Sequence, residues 1–571
     1  MPTLAPTNFN IVVSVLGGWI SVFGLVSYLL KENFYLSEAL ISLLAGLVFS
    51  PHAANFVRPL EYAGSEENLN AITLYFTRLV LGVQLVLAGV QLPSRYLKKE
   101  WKPLALLLGP IMTAMWIITS LLVWALVPNL PFLHALAIGA CVTPTDPVLS
   151  NVIVKGRFAD HNVPKDLQKI IIAESGANDG LGYPFLFLAL YLVKYIGDGG
   201  VNEKGGAGLA IGLWFGETWG YTILLSVIYG AVVGWIAKEL LHFCEEHKFV
   251  DRESFLVFAF SLALFITGTC GMIGSDDILA CFIAGNVFTW DDWFRLETLD
   301  EFSLQPTIDM LLNVTIFMWY GAVCPWHGFL DNSIIPIYRL IPLGILILLL
   351  RRMPLVLALY KKISQIDGLQ QAIFMGFFGP IGCSAVFYLY VTLEFIDTLN
   401  PNHGSVPRWD VAHLKESVSV LVWFMVICSV VVHGLSIPLG KFGFYLPRTI
   451  SRSLTSAEDV PFQIGARIVP QSRSRDVTAT HTPTDSRSVS ARPVFRVGGS
   501  IIAEHTENTT EAVGAGKSQD ELETSPKPVE LGSFPNAASP TLHNRTIRFP
   551  DESSSTGKNS QEPNRDTTAG S

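Results

Sequence analysis

The chain has 571 residues, half of them hydrophobic and 15% charged, with a formal net charge of −9. A mean hydropathy of +0.41 over that length excludes ordinary soluble folds and leaves a polytopic membrane protein. Its apolar stretches of about 20 residues suit helices crossing a ~30 Å hydrocarbon core and not the short alternating strands of a barrel, so the fold class is all-α.

Taken in chain order, apolar runs between polar breaks predict about 13 transmembrane helices. The first four spans cover 9–30, 35–57, 71–92 and 104–127; then come 132–153, 166–195, 219–241, 254–273 and 277–290. The last four are 304–323, 334–359, 369–396 and 414–440. No basic stretch or small-residue cleavage site flanks the first run, which reads as a span and not as a removable signal. The seven cysteines (Cys141, Cys244, Cys270, Cys281, Cys324, Cys383, Cys428) fall almost all in apolar runs without CxxC pairs and read as small core residues. Nothing points to nucleic acid.

Short loops rich in Lys and Arg mark the cytoplasmic side. One alternate set carries Lys31, Arg95, Lys98, Lys99, Lys102, Lys155, Arg157, Lys165, Lys169, Lys238, Lys248, Arg252, Arg295, Lys361 and Lys362. The other has Arg58, Lys194, Lys204 and Arg408 beside Glu61, Glu66, Glu67 and Glu203. The first set is therefore cytoplasmic, which puts the N-terminus outside and the C-terminus inside.

Spans five and twelve are interrupted by Pro144 and Pro147 and by Gly379, Pro380 and Gly382. A helix-interior proline removes a donor and clashes with the carbonyl four residues back, so Ala140 and Thr143 lose helical partners. Unwound backbone at membrane depth survives where it lines a cavity or is buried in protein. The two are seven spans apart, an odd number, so a repeat relating them is inverted, and crossed broken helices in such repeats point to a transport site.

From about residue 447 the composition turns to Ser, Thr, Pro, Gly and charge. The expected organisation is a membrane domain, 1–445, and a disordered cytoplasmic tail, 446–571. A plain solvated tail is the favoured reading over one that docks kinases or regulatory partners.

Three carboxylates, Asp146, Glu174 and Asp179, fall where hydrocarbon belongs, and such residues are expensive and usually functional. Ser175 and Asp179 are i, i+4 on one helix face, while Glu174 and Asn178 lie ~100° around. The first pair offers hard oxygen ligands for a small monovalent cation; Glu174 calls for a positive partner. Arg351 and Arg352 are the basic residues lying within a late apolar run, so Glu174 pairs with Arg352, with Arg351 as the alternative. Asp146 sits in the unwound part of span five beside Thr145, which offers a carbonyl and a hydroxyl. A buried carboxylate can be neutralised by a proton or by a cation but not by both at once, and that competition suffices for antiport when only loaded states switch access.

Simpler readings compete at each position. Asp146 also fits an N-cap for a helix restarting at Pro147. Asp276 and Asp277, where span nine begins, are pathway candidates or a solvated helix start. Asp309 and Asn313 on span ten read as interhelical hydrogen bonding, and His433 as a packing residue.

The ordered motifs TPTDPVLS, ESGANDGLGYPF, GSDDILACFIAGN, RRMP and FFGPIGCSAVFY resemble the fungal plasma-membrane sodium/proton antiporters of the monovalent cation:proton antiporter superfamily. The resemblance covers about residues 10 to 445. It implies a homodimer whose six-helix core moves as an elevator, with the broken spans five and twelve crossing in it. It implies a Na+ site at Asp179, Asp146, Ser175 and Thr145, a structural pair of Glu174 with the span-eleven Arg, and roles for Asp276 and Asp277. Asn178 in place of a second Asp implies electroneutral exchange. The substrates implied are Na+ and Li+, with K+ and Rb+, against H+, with no cofactor and no enzymatic activity. Alternatives are a cation channel, a Na+-coupled symporter, or an intramembrane aspartyl protease, whose Gly-x-Gly-Asp context Asp179 lacks.

Overall fold

Each apolar segment of the sequence contains helix among the described residues. The computed structural model describes residues 6–30, 34, 36–154, 162–197, 205–298, 305–399 and 408–454, all inside the unit Met1–Asp485. Lys31, Lys155, Arg157, Glu203, Lys204 and the expected tail from residue 455 onward lie outside the described residues. No strand occurs among the described residues.

Among the described residues the α-helices of seven residues or more are α1 (Asn8–Tyr28), α2 (Glu38–Phe49), α3 (Glu66–Gln91), α4 (Trp101–Leu126), α5 (Phe132–Cys141), α6 (Pro147–Val154), α7 (Lys165–Gly180) and α8 (Tyr183–Ile196). Then follow α9 (Gly206–Glu246), α10 (Arg252–Ile273), α11 (Asp277–Phe288), α12 (Gln305–Val323), α13 (Ile337–Leu350) and α14 (Met353–Leu359). The last three are α15 (Leu369–Phe377), α16 (Cys383–Thr398) and α17 (Trp409–Leu454). Among the described residues, seven helical stretches are long and apolar enough to cross a bilayer: α1, α3, α4, α9, α10, the stretch Ile337–Lys362 and Trp409–Pro438 of α17.

Local chemistry sets the ends. Ser65 caps α3 by accepting from the Asn68 amide at 3.2 Å, with Glu66 and Glu67 in the first turn where the helix dipole favours negative charge. Asp251 caps α10 in the same way at 2.9 Å, and α10 stops at Gly274, whose φ of +77° suits a residue without a Cβ.

Two expected spans turn out to be divided. Span six breaks at Leu181 and Gly182, because Pro184 in the first turn of α8 cannot donate to Gly180. Span eleven breaks at Arg351 and Arg352, with Pro354 in the first turn of α14. The final helix also outruns its expected end, continuing to Leu454.

Small residues let the helices approach closely. A Cβ on Gly46 of α2 would collide with the Met318 carbonyl of α12, and one on Gly321 would collide with that of Leu43. Gly230 and Gly234 of α9 meet the Ala280 and Ala284 carbonyls of α11, the small-xxx-small spacing that brings membrane helices together by van der Waals packing. The other face of α11 packs on α3.

Candidate functional site

The site grows from two unwound stretches, Val142–Asp146 between α5 and α6 and Phe378–Gly382 between α15 and α16, which meet in the interior. Their free backbone groups must find partners, because a dry carbonyl or amide is costly. The Ala140 carbonyl, deprived of Pro144, accepts from the Thr143 amide at 3.3 Å. The carbonyls of Val142 and Gly379, one from each break, both accept from the guanidinium of Arg351. At the opposite ends, Asp146 Oδ1 accepts from the Leu149 amide of α6 at 2.9 Å and Oδ2 from the Ser384 amide of α16 at 3.2 Å. The Asp146 amide donates to the Pro380 carbonyl at 3.0 Å. Thus one cation serves the two carbonyl ends and one anion the two amide ends. Gly382 permits this approach, since a Cβ there would stand 2.6 Å from Asp146 Oδ2.

Helix α7 runs past the crossing and presents different residues to different neighbours. Its Glu174 forms a two-pronged ion pair with Arg352, at 2.5 and 2.7 Å, with both side chains 3% exposed. Arg352 Nε also donates to the Met375 carbonyl at 2.9 Å. One turn along, Asn178 holds the unwound stretch by two bonds: its Oδ1 accepts from the Thr145 amide at 3.2 Å, and its Nδ2 donates to Thr145 Oγ1 at 2.8 Å. Ser175 donates to the Ile172 carbonyl of its own helix at 3.3 Å. Asp179 is buried, and neither carboxylate oxygen has a hydrogen-bond partner. Its backbone carbonyl is capped instead by the Tyr388 hydroxyl of α16, which also reaches the Gly180 carbonyl at 3.3 Å.

A second acidic pair borders this point. Asp276 caps α11 through Oδ1, 3.0 Å from the Leu279 amide, while its buried Oδ2 has no partner and would lie 3.0 Å from a Cβ on Gly180. Asp277 is paired at 2.8 Å with Arg78 of α3. Asp146 and Asp276 both stand close enough to act electrostatically on Asp179. The arrangement is one open carboxylate, Asp179, near one engaged at both oxygens, Asp146, and one engaged at a single oxygen, Asp276, all of them hard oxygen groups suited to an alkali cation or a proton.

Residues 20–439 match the sodium/hydrogen exchanger transmembrane family. The chain belongs to that family. It is 36% identical to Na(+)/H(+) antiporter 2 of Zygosaccharomyces rouxii, over 78% of this chain and 54% of the relative. It is also 36% identical to the Na(+)/H(+) antiporter of Saccharomyces cerevisiae, over 79% of this chain and 46% of the relative. A Na(+)/H(+) antiporter of Schizosaccharomyces pombe is 29% identical, over 79% of this chain and 95% of its own length. The chain thus spans about half the length of the first two. The fold resembles the sodium proton antiporter MjNhaP1 of Methanocaldococcus jannaschii, with a TM-score of 0.52 and 16% identity over 75% of this chain and 100% of that one. These relatives are named as antiporters, and this member of the family is a multi-pass membrane protein.

Within this chain, Asp146, Thr145, Asn178 and Asp179 come together, as do Glu174 and Arg352. Arg351 neighbours the ion pair without joining its hydrogen bonds, its guanidinium donating to the Val142 and Gly379 carbonyls. Asn313 lies 3.3 Å from Gln84 of α3 in an interhelical hydrogen bond. His433 reaches the Phe377 carbonyl at 3.1 Å and Ser429, whose hydroxyl accepts from the Ile381 amide of the second break. Sequence reasoning missed Arg78 and Tyr388. A lone Arg within the apolar run of span three was the available signal for the first; nothing local marks the second.

Proposed function

We propose that this protein is a secondary antiporter exchanging cytosolic Na+ or Li+, and also K+ or Rb+, for external protons, one for one and without net charge movement. The observation that carries the reading is Asp179: a buried carboxylate whose two oxygens the protein leaves without a donor. Such a group is stable when a proton or a cation neutralises it, and the two exclude each other. Asp146 has both oxygens engaged by backbone amides, so its part is a fixed charge at the edge of the site. Thr145 and Ser175 contribute oxygens, since each hydroxyl engaged in one bond keeps a lone pair for a cation. Asp276, with one open oxygen, and Asp277 line the route to the outside.

Alternating access follows an elevator movement. Bonds through Arg351, Asp146, Asn178, Arg352 and Tyr388 tie α5, α6, α7, α15 and α16 to one another, which supports a body that shifts as a unit past its neighbours. The proposal includes thirteen spans with an external N-terminus, inverted repeats, a homodimer and residence in the plasma membrane, with a role in alkali-cation and pH homeostasis.

Reconstituted into vesicles with the membrane potential clamped, the protein should dissipate an imposed pH gradient when Na+, Li+ or K+ is added. Current in the absence of a pH gradient would show a channel instead.

A further inference from the structure

We propose that Ser384 supplies a hydroxyl ligand to the cation held at Asp179 and favours the smaller alkali cations. This rests on the reading of Asp179 as the exchanging carboxylate.

Ser384 is the second residue of α16 and only 1% exposed, yet its hydroxyl has no hydrogen-bond partner. Buried hydroxyls are nearly always paired, so an idle one needs a reason. It is not idle for lack of order. The Ser384 amide is held by Asp146 Oδ2, and one turn along the same face Tyr388 grips the carbonyls of Asp179 and Gly180. Helix α16 is therefore pinned on both sides of Asp179. Between the pins, the Ser384 hydroxyl stands within reach of the Asp179 carboxylate, in a geometry that satisfies neither group's hydrogen bonding. The hydroxyls of Ser175 and Thr145 each already make one bond, Ser175 donating to Ile172 and Thr145 accepting from Asn178.

Two facing oxygen groups left open by a well-ordered backbone leave the geometry of a cation shell. A serine oxygen serves either loaded state. With a cation bound, it turns its proton away and offers a lone pair; with Asp179 protonated, it accepts the acid proton. Both states gain from the same atom, so exchange continues without it but the cation is held less well. Small cations lean hardest on each close oxygen, because they give up the most hydration on entry.

The test measures cation-dependent dissipation of a pH gradient by the reconstituted full chain, for the wild type, S384A, S384T and D179N. S384A should raise the half-saturating concentrations of Li+ and Na+ roughly two- to tenfold, with a smaller change for K+ and an unaltered unfolding midpoint. S384T should restore them. If S384A unfolds early, S384C, which keeps the volume but loses the hard oxygen, is read in its place. Wild-type half-saturation for Li+ and Na+ in S384A, with D179N inactive, overturns the role of Ser384 and leaves Asp179 standing. Wild-type exchange in D179N overturns the reading beneath it.

Discussion

Asp146 and Arg351 take opposite ends of the same two broken helices: the carboxylate accepts from the Leu149 and Ser384 amides, and the guanidinium donates to the Val142 and Gly379 carbonyls. Removing Arg351 leaves two buried carbonyls dry, at about 1–3 kcal/mol each. Arg351→Met should lower the unfolding midpoint in detergent markedly. Arg351→Lys, which keeps the charge but not the fork, should fall between. A midpoint unchanged in Arg351→Met would show that the breaks do not depend on this bridge.

The Glu174–Arg352 pair is buried, so breaking one side strands the other charge. Glu174→Gln and Arg352→Gln should each destabilise by about 3–5 kcal/mol, and the double substitution by less than their sum. A double-mutant cycle on unfolding reads the coupling, expected between about 0.5 and 3 kcal/mol. Strict additivity would mean that the two residues do not depend on each other.

At Gly382 an added Cβ meets Asp146 Oδ2 at 2.6 Å and Leu149 Cδ1 at 2.7 Å. Gly382→Ala should displace Asp146 and strongly reduce exchange in vesicles. Gly268→Ala serves as the control, since nothing lies within 4 Å of a Cβ at that position.

Asn178 holds Thr145 by an accepted and a donated hydrogen bond. An Asp there keeps the first, and the Thr145 hydroxyl can rotate to supply the second. Asn178→Asp should therefore fold and transport, but with an added charge that makes the exchange respond to membrane potential. Rates independent of clamped voltage would count against Asn178 as the origin of charge balance.

The helices and their breaks were readable because proline and glycine act locally and cluster at the breaks: Pro144 with Pro147, and Gly379, Pro380 and Gly382 together, whereas the lone Pro110 and Pro342 stay inside helices. The same residues at the junctions within spans six and eleven were less visible, since Pro184 and Pro354 sit in first turns, where proline is tolerated. Helical spacing placed Glu174 and Asp179 on different faces. It could not divide the labour between Arg351 and Arg352, because the Val142 carbonyl lies 209 residues from Arg351 along the chain. Ser384 went unremarked for a similar reason: one serine in an apolar helix looks like packing until its neighbours are known.

The most direct measurement is proton release on cation binding by the purified protein in weakly buffered detergent solution. Adding Na+ or Li+ to the wild type should release about one proton for each cation bound, and Asp179→Asn should neither bind the cation nor release a proton. Sodium bound without proton release, or release by Asp179→Asn equal to that of the wild type, would contradict the competition of proton and cation for Asp179.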